Sequence, residues 1–475
     1  MKTQFNQRTK ILSLYLAAVV VLIWITHQPT SPTPTMSSDA EVSLRGHLGF
    51  VFSDGMNFDS SATYAFLSDE AGNLTELYLN SLPDSFAYNG QEVIVAGRMI
   101  DADPTRLDDA PILAVHSLIP VQQSDSVQAS VEGNERWVNI ACRFGDMPDE
   151  TPRPREFFQD IMANSEPGMD HYWRQTSTDL VNIEGSAAYG WFNLPQPKSY
   201  YERSARVNVG IALQLLMRDC VTLAAEQEGV NFKQFAGINM MLNDTFGCCA
   251  WGGRMSLNIE GETVPFRTTW LQPWAFNSLH VIAHEMGHGW GLPHSGGDRS
   301  HARYPYDSAW DIMSGGSMMI DQCRVGNNVF ECFQVGTIGY HLEMLGWVPE
   351  ERIITVKPGE SRTITLEALT TIRTGKNPLV IKVQIGKTNQ FYTVDARSFV
   401  DYDRNLPGEA IVLHQVIPGR SEPANVVDID DNNNVNDEGA MWRPGETFSD
   451  AQAQIQIEVL AQEGTTFTVR ITNGN

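Results

Sequence analysis

Short apolar runs recur between polar, turn-forming residues from 41 to 121, the pattern of short strands. Ser43–Phe52, Glu76–Leu79 and Glu92–Gly97 carry this pattern, and turn signals such as Asn89-Gly90 separate the runs. About five such strands fit a small closed barrel of the oligonucleotide/oligosaccharide-binding type. Residues 122–134 are small and polar and read as a linker. From 135 to 350 the pattern becomes mixed. Trp137–Ala141 reads as a strand, and Arg206–Met217 has the apolar spacing of a buried helix. Pro349 and the two acids after it close this stretch. Strand patterns return over 351–475, in Thr363–Leu366, Leu379–Gln384, Ala410–His414 and Thr466–Ile471, and suggest a β-sandwich. No repeat of fixed period is present. The expected architecture is multidomain α+β, with a β-barrel-like N-terminal domain, a mixed central domain and a C-terminal sandwich.

Composition changes this picture at the ends of the scale. With 42% hydrophobic and 19% charged residues, the chain can form packed cores. A formal net charge of -24 repels phosphate backbones, so nucleic acid is excluded as an expected partner. Lys2, Arg8 and Lys10 precede the apolar run Ile11–Ile25, and a Pro/Thr-rich spacer, His27–Thr35, follows. Residues 1–40 therefore read as a signal peptide, or as a membrane anchor if uncleaved. Either places the remainder outside the cytoplasm, secreted or periplasmic. Six cysteines in an exported chain suggest disulfides. Cys323 and Cys332 would close a short loop and form the best pair; the pairing of Cys142, Cys220, Cys248 and Cys249 stays open.

The chemistry is concentrated in His284-Glu-Met-Gly-His288-Gly-Trp-Gly291-Leu-Pro-His294. It fills every fixed position of H-E-x-x-H-x-x-G-x-x-H, a chance match on the order of one in 10⁵. Residues four apart share a helix face, so His284 and His288 can direct two imidazoles at one ion. Gly291 can take positive φ and turn the chain, which returns His294 to the same ion. Three imidazoles leave a fourth position for water, the arrangement of a catalytic zinc rather than a structural one. Glu285, beside His284, is placed to act as general base. Met313, in Trp310-Asp-Ile-Met-Ser-Gly-Gly316, has suitable spacing for a turn that packs beneath the ligands.

The zinc motif and this turn together resemble the metzincin clan of metallopeptidases. Trp137–Asp146, Met169–Ser177, Gly190–Pro195, Gly339–Trp347, Tyr392–Arg397 and Trp442–Phe448 are similar to segments of the secreted immune inhibitor A and gametolysin-like peptidases. The resemblance covers residues 136–475. It implies a metzincin-like catalytic domain at 135–350, one catalytic zinc, and protein or peptide substrates outside the cell. Immune inhibitor A relatives often carry an acidic residue near the position of His294. Some metzincins add a Tyr ligand just after the turn, where this chain has Ser314-Gly315-Gly316.

Other features are weaker. Cys142 lacks the setting of a thiolate latency switch and reads as a disulfide or buried thiol. Asp428, Asp430, Asn432 and Asn434 alternate along an acidic loop in the manner of calcium ligands, though the central Gly and terminal Glu of standard loops are missing. Residues 41–121 are open to three roles: inhibitory prodomain, substrate-binding module or spacer. The expected function is a zinc-dependent endopeptidase. The rival readings are a binding or adhesion protein on a silent metalloprotease fold, and a zinc hydrolase acting on something other than protein.

Overall fold

A computed structural model describes residues 41–474 except 56–60, 80–82, 101–111, 122–130, 298–305, 316–320, 333–334, 372–374, 431 and 433. Residues 1–40, with the expected signal or anchor at 11–25, lie outside the described residues.

Strands β1 (Glu41–Gly55), β2 (Ala62–Ser68), β3 (Leu74–Tyr78), β4 (Glu92–Ile100) and β5 (Ile112–Pro120) form the closed barrel. Its core contains Leu48, Phe50, Val93, Val95 and Leu113. β1 has three partners along its 15 residues. Its first part pairs with β4, its middle with β2, and Val51–Gly55 run antiparallel to a strand of the central region. The barrel is therefore joined to the centre by main-chain hydrogen bonds and forms part of one ten-stranded sheet.

The centre contributes β6 (Gly133–Asn134), β7 (Trp137–Arg143), β8 (Val181–Asn182), β9 (Ala187–Asn193), β10 (Gly237–Leu242), β11 (Cys249–Ile259) and β12 (Glu262–Leu271). The ten-stranded sheet runs β2-β3-β5-β4-β1-β11-β12-β10-β7-β9. β12, β10, β7 and β9 are parallel to their neighbours within this set, whereas β11 is antiparallel to both β12 and β1. Both faces of this sheet are covered, which accounts for the near-continuous burial of β7 and β10. Helix α1 (Val209–Glu228) packs Leu213, Leu216 and Met217 on one face, against Val138, Ile140 and Met240. Helix α2 (Leu279–Trp290) packs Leu279, Ile282 and Met286 on the other, against Trp137, Ala141 and Met241. Truncating any of the Leu, Ile or Met residues among these to Ala would cost about 2–5 kcal/mol.

The helix expected across Arg206–Met217 is divided. One helix ends at Val207 and α1 starts at Val209. Asn208 between them is extended, and its side-chain oxygen accepts from Ile211 N–H, a cap contributing about 1 kcal/mol. The expected linker 122–134 is also corrected at its end. Val131 is buried, its carbonyl accepts from Trp347 Nε1–H, and β6 pairs with β8.

β13 (Ser295–Gly297) follows His294 directly; β14 (Asp321–Val325) and β15 (Asn328–Cys332) form a hairpin. The remaining strands are β16 (Ile353–Val356), β17 (Ser361–Glu367), β18 (Val380–Gln384), β19 (Phe391–Arg397), β20 (Ala410–Val416), β21 (Ala424–Val426), β22 (Thr447–Asp450), β23 (Ile455–Glu463) and β24 (Thr466–Asn473). They form the sheets β13-β21-β20-β19-β18-β16 and β17-β24-β23-β22, which share a core around Ile381, Val394, Ile411, Phe467 and Val469. A boundary at 350/351 does not separate the sheets, because β13 pairs in parallel with β21.

Cysteines lie at disulfide distance in three pairs: Cys142 with Cys220, Cys248 with Cys249, and Cys323 with Cys332. They are compatible with an extracellular protein. Cys142 is buried and paired rather than a free thiol. Among the described residues no helix is long and apolar enough to cross a membrane.

Candidate metal centre

α2 begins at Ser278, whose hydroxyl accepts from Val281 N–H, and stops at Gly291. Gly291 takes φ 105°, the left-handed conformation that lets the chain reverse. His284 and His288 lie one turn apart on the helix, and the reversal returns His294 to them. The Nε2 atoms of His284 and His294 are 3.2 and 3.1 Å from Nε2 of His288. Two donors on a tetrahedral ion at ~2.1 Å would be ~3.4 Å apart, so the spacing suits one shared cation. The opposite ring nitrogens are committed. Nδ1–H of His284 donates to the Ile312 carbonyl at 2.7 Å, and that of His288 to the Leu292 carbonyl at 2.8 Å. These bonds fix the rings and leave the Nε2 lone pairs facing inward.

A fourth donor comes from the barrel. Asp54, near the end of β1, places its Oδ1 2.8 Å from His294 Nε2 and its Oδ2 3.3 Å from His288 Nε2 and 3.6 Å from His284 Nε2. The four side chains are buried and close enough to hold a metal ion together. Glu285 is fully buried, and neither of its carboxylate oxygens has a hydrogen-bond partner. An unpartnered buried carboxylate is costly. Its position beside converging imidazoles therefore fits a site that takes a cation and polar ligands.

The electrostatics follow from this crowding. Burial lowers the His288 imidazole to about 3, and His294 adds to the effect. At Asp54 burial acts upward, but His294 and the hydrogen bonds of the three imidazoles outweigh it and hold the carboxyl well below its usual range. Burial, then the nearby Asp54 charge, drives Glu285 well above its usual range. A bound cation would oppose that rise, because its positive charge favours the carboxylate form.

Tyr306 also reaches the centre. Its ring lies 5.8 Å from that of His284 and 5.5 Å from that of His294, and its hydroxyl donates to Asp54 Oδ1. Sequence reasoning sought a Tyr only after Met313. The signal was a Tyr lying between the third His and that turn. Asp54 was missed for a different reason: nothing local in a barrel strand marks a residue 252 positions from Tyr306 as its neighbour.

Met313 lies beneath α2. A side chain at Gly287 would meet Met313 Sδ at 2.4 Å, so helix and turn touch only because that position is glycine. The turn is held from below. Asp311, fully buried, accepts from Ser295 Oγ–H at 2.5 Å and Thr337 Oγ1–H at 2.7 Å, and pairs with His341 at 2.9 Å. Arg397 donates to the Trp310 carbonyl at 2.6 Å and is itself paired with Asp403. These contacts position Ile312, whose carbonyl orients His284.

No family model matches the chain, and no curated protein matches it.

The acidic loop behaves differently from its sequence pattern. Asp428 and Asp430 come together with Asp437, and these three could hold a cation. Asn432 and Asn434 turn their amides toward Asp437, at 2.8 and 2.9 Å. Their oxygens accept from the main chain two residues on, so the loop satisfies itself. Asp437 replaces the two asparagines in the group that sequence spacing proposed.

Proposed function

We propose that the chain is a zinc-dependent endopeptidase, with His284, His288 and His294 as metal ligands and Glu285 as general base. The observation that carries this reading is the convergence of three oriented Nε2 atoms beside a buried carboxylate with no protein partner. Imidazole nitrogens in a four-donor setting suit zinc, whose chemistry when bound is to polarise a carbonyl and acidify water. Glu285 takes the proton of the attacking water and returns it to the leaving amine as the peptide bond breaks. Tyr306 lies where its hydroxyl can donate to the oxygen that gains charge, provided Asp54 does not hold it. Met313 supports the helix as the metzincin-type turn, and the centre would be the peptidase domain between an OB-like barrel and a sandwich. Export through residues 1–40 would put this activity outside the cytoplasm. Calcium at Asp428, Asp430 and Asp437 belongs to the same proposal as a stabilising ion and takes no part in the reaction.

The test is gelatin cleavage by the zinc-loaded chain and by its Asp54→Ala variant, each with and without chelator, beside the corresponding Glu285→Ala proteins. Chelator-sensitive cleavage that falls at least ~100-fold in Glu285→Ala is expected. Absence of cleavage from every zinc-loaded form would reject the peptidase and favour a silent fold used for binding. The unpartnered Glu285 speaks against that rival, since a silent site gains nothing from a buried carboxylate of this cost.

A further inference from the structure

The barrel does more at this centre than sit beside it. Among the described residues, three of its side chains enter the site. Asp54 faces the three imidazoles. The Phe52 ring lies flat on His288, with centroids 4.0 Å apart and planes 8° apart. Ser61 is within 3.0 Å of the Tyr306 hydroxyl. The main chain enters as well. Val51–Gly55 pair antiparallel with Gly253–Cys249, so they occupy the edge of β11 that faces away from β12. β11 lies against α2 at Glu285: a side chain at Gly252 would strike the Glu285 main chain at 2.3 Å. An extended peptide adds to a sheet by pairing with such an edge, and this is the edge that passes the general base.

We infer that the barrel holds the chain in a self-blocked state: Val51–Gly55 lie on β11 where an extended peptide substrate would lie, and Asp54 takes the metal position that a water molecule needs. This inference rests on the peptidase reading. Of the three roles open for residues 41–121 it selects the inhibitory prodomain, because a binding module or spacer has no need to place a carboxylate between three histidines. The block is held by contacts away from the site. Asn208 Nδ2–H donates to Glu76 at 2.6 Å, Gln214 Nε2–H to the Gly72 carbonyl at 2.8 Å, and Thr263 Oγ1–H to the Glu70 carbonyl at 2.9 Å. These three are polar and can be exchanged for water, while Val51 and Phe66 bury apolar surface in the central core, Phe66 against Gly210, so displacing the barrel must also expose that surface. The alternative is a closed site of three histidines and one aspartate in which Asp54 is a permanent ligand and the ion only braces the fold.

The experiment uses the full zinc-loaded chain and its Asp54→Ala and Asp54→Asn variants. Zinc content is measured first, then calorimetric titration with a peptide hydroxamate, a bidentate metal ligand carried on an extended chain. A tethered carboxylate competes at high effective concentration, so its removal should tighten hydroxamate binding at least ~10-fold. Zinc should stay at one ion per chain in all forms, because three imidazoles remain. Equal hydroxamate affinity in the wild type and both variants would overturn the inference. Loss of zinc from Asp54→Ala and Asp54→Asn together would also overturn it, in favour of the permanent ligand. Asp54→Asn keeps the volume of the side chain and decides the matter if Asp54→Ala fails to fold. Gelatin cleavage in parallel separates the two proposals: tighter hydroxamate binding by the variants without cleavage would reject the peptidase and, with it, a block on substrate, leaving only Asp54 as a competitor at the metal.

Discussion

Two groups among the described residues bring enough ligand atoms together for a cation, and they differ in almost everything else. The group on α2 is buried, and its four members come from β1, the helix and the chain that follows it. Its imidazoles are oriented from behind, and a carboxylate beside it has no partner. The group at Asp428, Asp430 and Asp437 lies in one loop that bonds to itself. Density of acid by itself therefore does not tell which kind of cation site a group forms. Convergence of several oriented imidazole nitrogens on one buried point marks it better, since a buried group without a hydrogen-bond partner also occurs away from both sites, as at His414. The loop nevertheless touches the centre indirectly. Asn436 accepts from Ala309 N–H at 2.7 Å and Val435 accepts from Trp310 Nε1–H at 2.8 Å, so its far end steadies the turn that carries Ile312.

The contrast is broken most severely at His288. His288→Ala should reduce bound zinc from one ion per chain to near none, by elemental analysis; retention of a full equivalent would show that the imidazoles do not hold it. Next comes Asp311, which orients the turn without reaching the ion. Asp311→Ala strands the buried His341 and should cost about 3 kcal/mol in denaturant unfolding, with zinc affinity down ~10-fold. Unchanged stability and affinity would mean the turn holds itself.

His414 provides a control, a buried histidine 3.6 Å from Asp395 that belongs to neither group. Burial lowers its imidazole from 6.5 to about 3. The folded state therefore binds fewer protons than the unfolded chain, and this contribution is present above pH 6.5 and lost as pH falls toward 3. Asp395 acts in the opposite sense. Burial raises it from 3.8 to about 6, so its contribution is present below 3.8 and lost as pH rises through about 6. Replacing only His414, as His414→Leu, should flatten the acid side of the stability profile relative to the wild type. Parallel profiles for the two proteins would show that His414 stays unprotonated in the unfolded chain or charges freely in the folded one. The smallest effect is expected at the loop. Millimolar calcium should raise Tm by a few degrees at most in the wild type and not in Asp437→Asn; an equal rise in both would put calcium elsewhere.

Much of this was legible in the sequence because it is written in short-range periodicity. Glu92–Gly97 alternates in burial as a strand covered on one face does, Ala410–His414 is a short apolar run buried throughout, and the helix stop at Gly291 is a local demand for positive φ. The three histidines are set by helix spacing and one turn, and the short loop between Cys323 and Cys332 made that pair readable. What depended on partners distant in sequence was not legible. Cys142 finds Cys220 only once β7 and α1 pack together, and Asn208 breaks a helix that its apolar neighbours would have continued. The sequence determined that two imidazoles and a carboxylate share one helix and that a third imidazole follows its stop at Gly291. Only the tertiary structure decided that a barrel strand would lie across them with Asp54 pointing in. Pairing between β1 and β11 uses main-chain groups that every residue has, and so leaves no mark on side-chain order.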